Sequence, residues 1–213
     1  MKLYFSPLAC SLATRIALYE ASADDVDFVE VDPPTKKTLP AGADYTRIHP
    51  LGMVPLLELD DGQLLSENAA ILQYIAERFP AARLAPTDPT GRARLHEWLG
   101  FIATELHKAV FVPLLDKKAP DAAKRYALSK ADGRLAWLAA RLERVGAEHV
   151  LGEFSIADAY LFAVLNWAVV TPVDLKKYPA IAAYHARVGE RPSVARAFAE
   201  ERSLYAKELA RSA

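Results

Sequence analysis

The chain has 213 residues, 52% of them apolar and 25% charged, with a formal net charge of −1. That length can bury a substantial core as one large domain or two smaller ones, and the near-neutral balance excludes a basic field that would recruit nucleic acid or anionic lipid. No apolar run approaches the roughly 18 residues of a membrane span, and Ser6 and Arg15 break the N-terminal stretch where a secretory signal needs continuity. With a single cysteine, these features point to a cytoplasmic protein.

In chain order, Lys2–Phe5 reads as a short strand, and residues 11–21 carry Leu12, Ile16 and Leu18 with helical neighbours. Asp27–Val31 alternates with period two, as a half-buried strand does. Residues 33–43, with Pro33, Pro34, Pro40 and Gly42, read as irregular. Residues 55–59, the turn Asp60-Asp61-Gly62 and residues 63–65 read as a hairpin whose turn accepts positive φ. Residues 67–78 return to helical spacing through Ala70, Ile71, Tyr74 and Ile75. The order predicts a small mixed sheet of four strands, with two right-handed crossovers and a closing hairpin.

Beyond Phe79 the composition changes. Pro80, Pro86 and Pro89, with Thr87, Asp88 and Gly91, mark a linker over residues 81–89 between a first domain (1–80) and a helical second domain (90–213). Residues 90–116 form a long helical pattern with Leu95, Trp98, Leu99, Ile102 and Leu106 on a buried face. Helices follow over 121–145, over the almost wholly apolar 156–170 at the centre of a bundle, and over 180–190 and 193–210. Ser155-Ile156-Ala157-Asp158 has the spacing of a capping box, with Ser155 capping the helix start and Asp158 reaching back to the Ser155 N–H. That explains Asp158 as structural rather than catalytic. The fold class is α/β followed by all-α.

Cys10 lies where the first strand ends and the first helix begins, where unpaired N–H groups and the helix dipole favour a thiolate. Without a second cysteine it can form neither an internal redox pair nor a disulfide. It is either a small buried hydrophobe or a group whose partner sulfur comes from outside. Gly52-Met53-Val54-Pro55 precedes the third strand. A cis Val54-Pro55 bond would leave the Val54 backbone free to pair with an extended peptide ligand, whereas a trans proline would simply open an edge strand. Ser66-Glu67-Asn68 opens the last helix of this half; a helix start that binds carboxylates, beside an acidic Glu67, suits an α-amino-acid end, and Ser66 as a plain cap is the alternative. A β-α-β then β-β-α unit with cysteine at its first helix start has the plan of a thioredoxin-like domain. The five histidines are scattered, so no metal site is expected.

Met1 to Pro7 with Ala9-Cys10-Ser11-Leu12, Asp44-Tyr45 running into Pro50-Leu51-Gly52-Met53-Val54-Pro55, and Leu65-Ser66-Glu67 resemble bacterial glutathione transferases of the beta class. So do Thr104-Glu105-Leu106-His107-Lys108 and the segment from Phe154 to Phe162, so the resemblance covers essentially the whole chain. It implies a homodimeric detoxifying enzyme that joins glutathione, as co-substrate, to a small hydrophobic electrophile, with thiol–disulfide exchange through Cys10. By the same resemblance Cys10 faces the glutathione sulfur, Val54 ahead of Pro55 pairs with its cysteinyl backbone, and Glu67 and Asn68 hold the γ-glutamyl end. Lys37 meets the glycyl carboxylate, His107 lies near Cys10 beside Lys108, and Glu105 reaches the partner subunit's glutathione. Tyr4 and Ser11 are fallback activators of the thiol, while Phe5 excludes a tyrosine hydroxyl at its own position. Four residues depart from the family pattern: Leu8 and Asn68 where glycine is usual, and His49 and Gly100 where asparagine is usual. Leu8 would crowd Cys10 or reshape its loop, and Gly100 would open volume near His107. The other readings are a non-catalytic module of the same fold, binding a ligand or a protein, and a glutathione-dependent dehalogenase or disulfide reductase.

Overall fold

Alternation builds the sheet. In β1 (Lys2–Phe5), Leu3 and Phe5 turn to one face and Tyr4 to the other, and all three are buried. The computed structural model describes residues 1–146 and 148–212. β1 pairs in parallel with β2 (Asp27–Val31), Leu3 opposite Phe28. The two-residue β3 (Thr38–Leu39) lies along the outer edge of β2. On its other side β1 pairs antiparallel with β4 (Leu56–Glu58), Leu3 opposite Leu57, and β5 (Leu64–Ser66) closes a hairpin on β4. The strand order is β3-β2-β1-β4-β5.

Two expectations are corrected. The sheet has five strands rather than four, because Thr38–Leu39 pairs from within the proline-rich stretch read as irregular. Two ladder residues next to a proline carry no alternation that a sequence could display. Only β1 and β2 are parallel neighbours; β4 runs antiparallel to β1, so the second parallel crossover does not exist.

One face of the sheet is covered by α1 (Ser11–Glu20) and α2 (Asn68–Arg78), which pack on each other. Leu12, Ile16 and Leu18 are wholly buried, and each contributes about 1.5–3 kcal/mol by leaving water. On the other face Tyr4, Val31, Tyr45 and Leu56 form a smaller cluster, joined by Val29, Ile48 and Val54.

The second unit is helical. α3 (Pro89–Phe101) starts on Asp88, whose carboxylate accepts the Gly91 N–H at 2.9 Å, with Pro89 in the first turn. The chain does not stop at Phe101: Ile102–Phe111 widens to i→i+5 bonding, a rare geometry that tends to mark functional segments, before α4 (Val112–Leu115). α5 (Asp121–Val145) ends on Gly146, whose φ of 57° is a left-handed stop. α6 (Ile156–Leu165), every residue of which is buried, runs into a short 3-10 turn over Asn166–Val170, and α7 (Pro179–Gly189) follows. Taken as one helix, Pro89–Leu115 is long and apolar enough by composition to cross a membrane, which the broken runs of the sequence did not suggest. Within its unit it packs against α5 and α6 as a bundle helix.

The capping box forms as expected and is deeper than sequence indicates. The Asp158 carboxylate accepts from the Ser155 N–H and Oγ (both 2.9 Å), the Val150 N–H (3.0 Å) and the Tyr184 hydroxyl (2.8 Å).

The last helix, α8 (Pro192–Ser212), corrects the domain boundary. It packs on α1, so the compact units are Met1–Leu84 with the chain from Pro192 onward, and Ala85–Arg191 between them.

Candidate active site

In the first unit the turn between β1 and α1 presents Cys10. The Ala9 N–H donates to the Ser6 carbonyl at 3.1 Å, and the Ser11 hydroxyl bridges the Ser6 main chain, donating to its carbonyl (3.2 Å) and accepting from its N–H (3.3 Å). Ser11 is fully buried, so its hydroxyl serves the loop. The Tyr4 hydroxyl donates to Glu58 at 2.9 Å, and burial followed by that carboxylate holds the phenol above its ordinary range. Neither fallback activator has its hydroxyl turned to the cysteine. Leu8 adopts φ 56°, the left-handed conformation that glycine takes freely. Leucine thus keeps a glycine-like backbone at the position expected to be crowded.

The Cys10 thiol is half-buried and donates to the Val54 carbonyl at 3.4 Å. The Val54-Pro55 bond is cis, as is Leu39-Pro40, which the sequence did not suggest. The Val54 N–H pairs with no other backbone group among the described residues. Tyr45, buried in the cluster below, donates its hydroxyl to the Met53 carbonyl at 2.8 Å and so fixes the approach to Val54. His49 sets its ring edge-on to Tyr45, and its carbonyl accepts from the N–H of Gly52, whose φ is 59°.

α2 brings the remaining groups. Asn68 is buried; its amide donates to the Cys10 carbonyl at 3.1 Å and accepts from the Thr14 hydroxyl at 2.9 Å. The side chain therefore ties α2 to α1, and what Asn68 can offer a ligand is its backbone N–H at the helix start. Glu67 is exposed at φ 68° and ψ 116°, with no cap hydrogen bond from its side chain. A non-glycine residue held there, at a helix N-terminus, is strain of the kind that clusters at ligand clamps. Lys37 is exposed in the turn between β2 and β3, bridging by its backbone to Asp44. Cys10, Val54, Pro55 and Asn68 are thus brought together, with Glu67 beside Asn68 and Lys37 on a separate loop.

His107, Lys108 and Glu105 belong to the second unit, on the widened stretch Ile102–Phe111. His107 is buried, with Nδ1 2.7 Å from the Tyr160 hydroxyl and its ring 4.9 Å from that of Trp167. Burial, aided by the neighbouring Lys108 charge, pushes it down to about 4, so the imidazole is neutral at pH 7. Lys108 is exposed, and Glu105 pairs with Arg134 on α5 at 2.5 Å. Gly100 is exposed on α3, and a Cβ added there would meet nothing within 4 Å.

A histidine whose folded pKa lies below its unfolded one makes the unfolded state bind more protons between about 4 and 6.5. Stability is then lost as pH falls through that window. At pH 4.5 the loss from His107 is about 2.5 kcal/mol, and His107→Gln should remove that share of the acid sensitivity. Urea midpoints of both proteins at pH 7 and 4.5 check this; an equal acid loss in the two would refute it.

Comparison with known proteins agrees with this arrangement. Residues 9–78 match the N-terminal domain of glutathione S-transferases, and residues 102–192 match the C-terminal domain. Glutathione S-transferase GstA of Escherichia coli O157:H7 is 43% identical, over 94% of this chain and 98% of its own. The solved ternary complex of BphK, a bacterial GST, has 43% identity and a TM-score of 0.89, covering 94% of this chain and 99% of that one. A bacterial beta-class glutathione S-transferase of Sphingomonas chungbukensis has 44% identity and a TM-score of 0.86, covering 94% and 98%. A sphingomonad glutathione S-transferase complexed with glutathione has 43% identity and a TM-score of 0.87, with the same coverage. The two domain models together match most of the chain, one in each unit, and with these relatives they show that the chain belongs to the glutathione S-transferase family.

Proposed function

We propose that this transferase joins the thiol of glutathione to a small hydrophobic electrophile, and that Cys10 faces the glutathione sulfur closely enough to exchange with it. The observation that carries the reading is the Cys10 sulfur, 3.4 Å from the carbonyl of Val54 ahead of cis Pro55. A γ-glutamyl-cysteinyl backbone pairing with Val54 as an added strand sets its own sulfur beside Cys10. The strained Glu67 pairs with the γ-glutamyl amino group, the Asn68 N–H takes the neighbouring carboxylate, and Lys37 takes the glycyl carboxylate. By the family resemblance His107 and Lys108 are the second unit's contribution. An imidazole pushed down to about 4 is too weak a base to keep the thiol proton, so its assigned part is a hydrogen bond to the sulfur, and the Lys108 charge favours the anion. Glutathione is a weak nucleophile while protonated, so holding its thiolate against a bound electrophile is the catalytic gain. Ser11 contributes by closing the Cys10 loop. Glu105, in a homodimer, extends from its pair with Arg134 toward the partner subunit's glutathione. Conjugation of hydrophobic electrophiles is a detoxifying reaction, and a chain with a single cysteine, unable to form an internal disulfide, suits the reducing cytoplasm.

The test is glutathione consumption with a general aryl halide, with the product identified by mass. A thioether formed well above the uncatalysed background is the expected result. Protein recovered with glutathione disulfide-bonded to Cys10 once glutathione disulfide is supplied for exchange, and no thioether, would replace conjugation by redox chemistry or binding. The absence of both products would overturn the reading.

A further inference from the structure

Sequence separation hides the next contact. Glu201, on α8, is fully buried, and its two oxygens go to different parts of the first unit. Oε2 accepts the Leu8 N–H at 2.7 Å, and Oε1 accepts Arg15 Nε at 2.9 Å. Arg15 is itself buried on α1, its guanidinium 4.3 Å from the Phe5 ring centre and 4.1 Å from that of Phe28. Its Nη1 donates to the Tyr19 hydroxyl (3.2 Å) and to Glu200 (3.3 Å), while Nη2 finds no hydrogen-bond partner among the described residues.

Burying such a pair is a poor way to gain stability, since desolvation of both charges offsets their attraction. Burial pushes Glu201 up to about 7 against the pull of Arg15 and the Leu8 N–H, which reflects that cost. Apolar side chains would dock α8 onto α1 as well. What they would not do is hold the Leu8 N–H, and Leu8 is the residue two before Cys10 at φ 56°. Leucine disfavours that conformation, so the turn needs an external hold to keep it. The carboxylate is that hold, and Arg15 aims it.

We propose that Glu201 is a positioning residue for Cys10: bridging Arg15 and the Leu8 amide, it keeps the thiol-bearing turn in its left-handed form and makes the C-terminal helix part of the thiol site. The proposal rests on the role given to Cys10 above, but its test does not require conjugation.

The readout is the rate of Cys10 alkylation by iodoacetamide at pH 7, followed by intact mass, with the KM and kcat for glutathione measured alongside. Glu201→Gln has one acceptor for two donors and sets its NH2 against the other, which loosens the hold on the turn. The alkylation rate is expected to change by about fivefold or more, the scale on which leucine leaves the left-handed region. Adding Leu8→Gly to that variant should bring the rate back toward the parent value, because glycine holds positive φ unaided. Should Glu201→Gln fail to fold, Glu201→Asp answers the same question: it is one methylene short of bridging both donors. A lower melting temperature with unchanged alkylation and unchanged KM would overturn the proposal and leave Glu201 as a docking contact alone. If the parent conjugates nothing while the alkylation change and its rescue persist, the positioning stands and the assigned chemistry falls.

Discussion

Cys10→Ala protein is expected to lose its mixed disulfide with glutathione completely, while conjugation falls by no more than about tenfold, a change of roughly 1.4 kcal/mol in the barrier. The asymmetry follows from what each reaction needs. In exchange, the Cys10 thiolate attacks a glutathione disulfide, a new S–S bond forms to Cys10, and one glutathione leaves as thiolate. No other residue can substitute, since Cys10 is the only cysteine in the chain. Conjugation needs the glutathione thiolate held against an electrophile, and the groups assigned to that remain: the Val54 backbone, Glu67 and neutral His107. The thiol donates to the Val54 carbonyl, so its removal also frees that acceptor for a bound peptide. Intact mass after incubation with glutathione disulfide tests the first part, and aryl halide turnover tests the second. Abolished turnover in a folded alanine variant would make Cys10 the working nucleophile and favour dehalogenase or reductase chemistry.

The largest effect on stability is expected at Asp158. Its carboxylate accepts from two backbone N–H groups and two hydroxyls, all in buried positions. Alanine leaves those donors without their acceptor and opens the start of α6, whose ten residues are all buried. Leaving one buried donor unpaired costs about 1–3 kcal/mol, so a loss of about 4 kcal/mol or more is expected for Asp158→Ala. In a chain of this size that lowers the melting temperature by roughly 8–16 °C. Asp158→Asn keeps an acceptor for part of the network and should fall between the two. A melting temperature within about 3 °C of the parent for the alanine variant would show that the network relaxes without it. Because Asp158 acts on folding, whatever protein of that variant remains folded should retain the parent's turnover per molecule.

The sequence carried much of this architecture, and the physical reason is periodicity. β1, α1, β2, the β4–β5 hairpin and α2 appear in the expected order, because each buries one face and alternates or repeats accordingly. The 25 residues of α5 and the Ser155–Asp158 cap were legible for the same reason: both are local patterns. β3 was not, since two residues beside a proline hold no pattern and pair only because β2 offers a free edge. The direction of β4 was also closed to a reading of elements, because strand hydrophobicity is the same whichever way the strand runs.

At the candidate site the division falls in the same place. Cys10 at a helix start, Glu67 at the next and Val54 before proline are residue types at marked positions, and sequence by itself singled them out. Which polar groups remain available was a tertiary matter: burial turns Ser11 to Ser6, Tyr4 to Glu58 and the Asn68 side chain to Thr14 and Cys10. His107 was visible as a histidine on a helix, but its neutrality comes from the packing around it. Glu201 lay furthest from reach. Nothing in Glu200-Glu201 distinguishes one acid from the next, and the contact with Leu8 spans 193 positions. Local periodicity therefore determined the elements and the marked residues, whereas long-range packing decided strand direction, the place of α8 and which side chains the core had already engaged, since only the folded chain determines which groups are removed from water together.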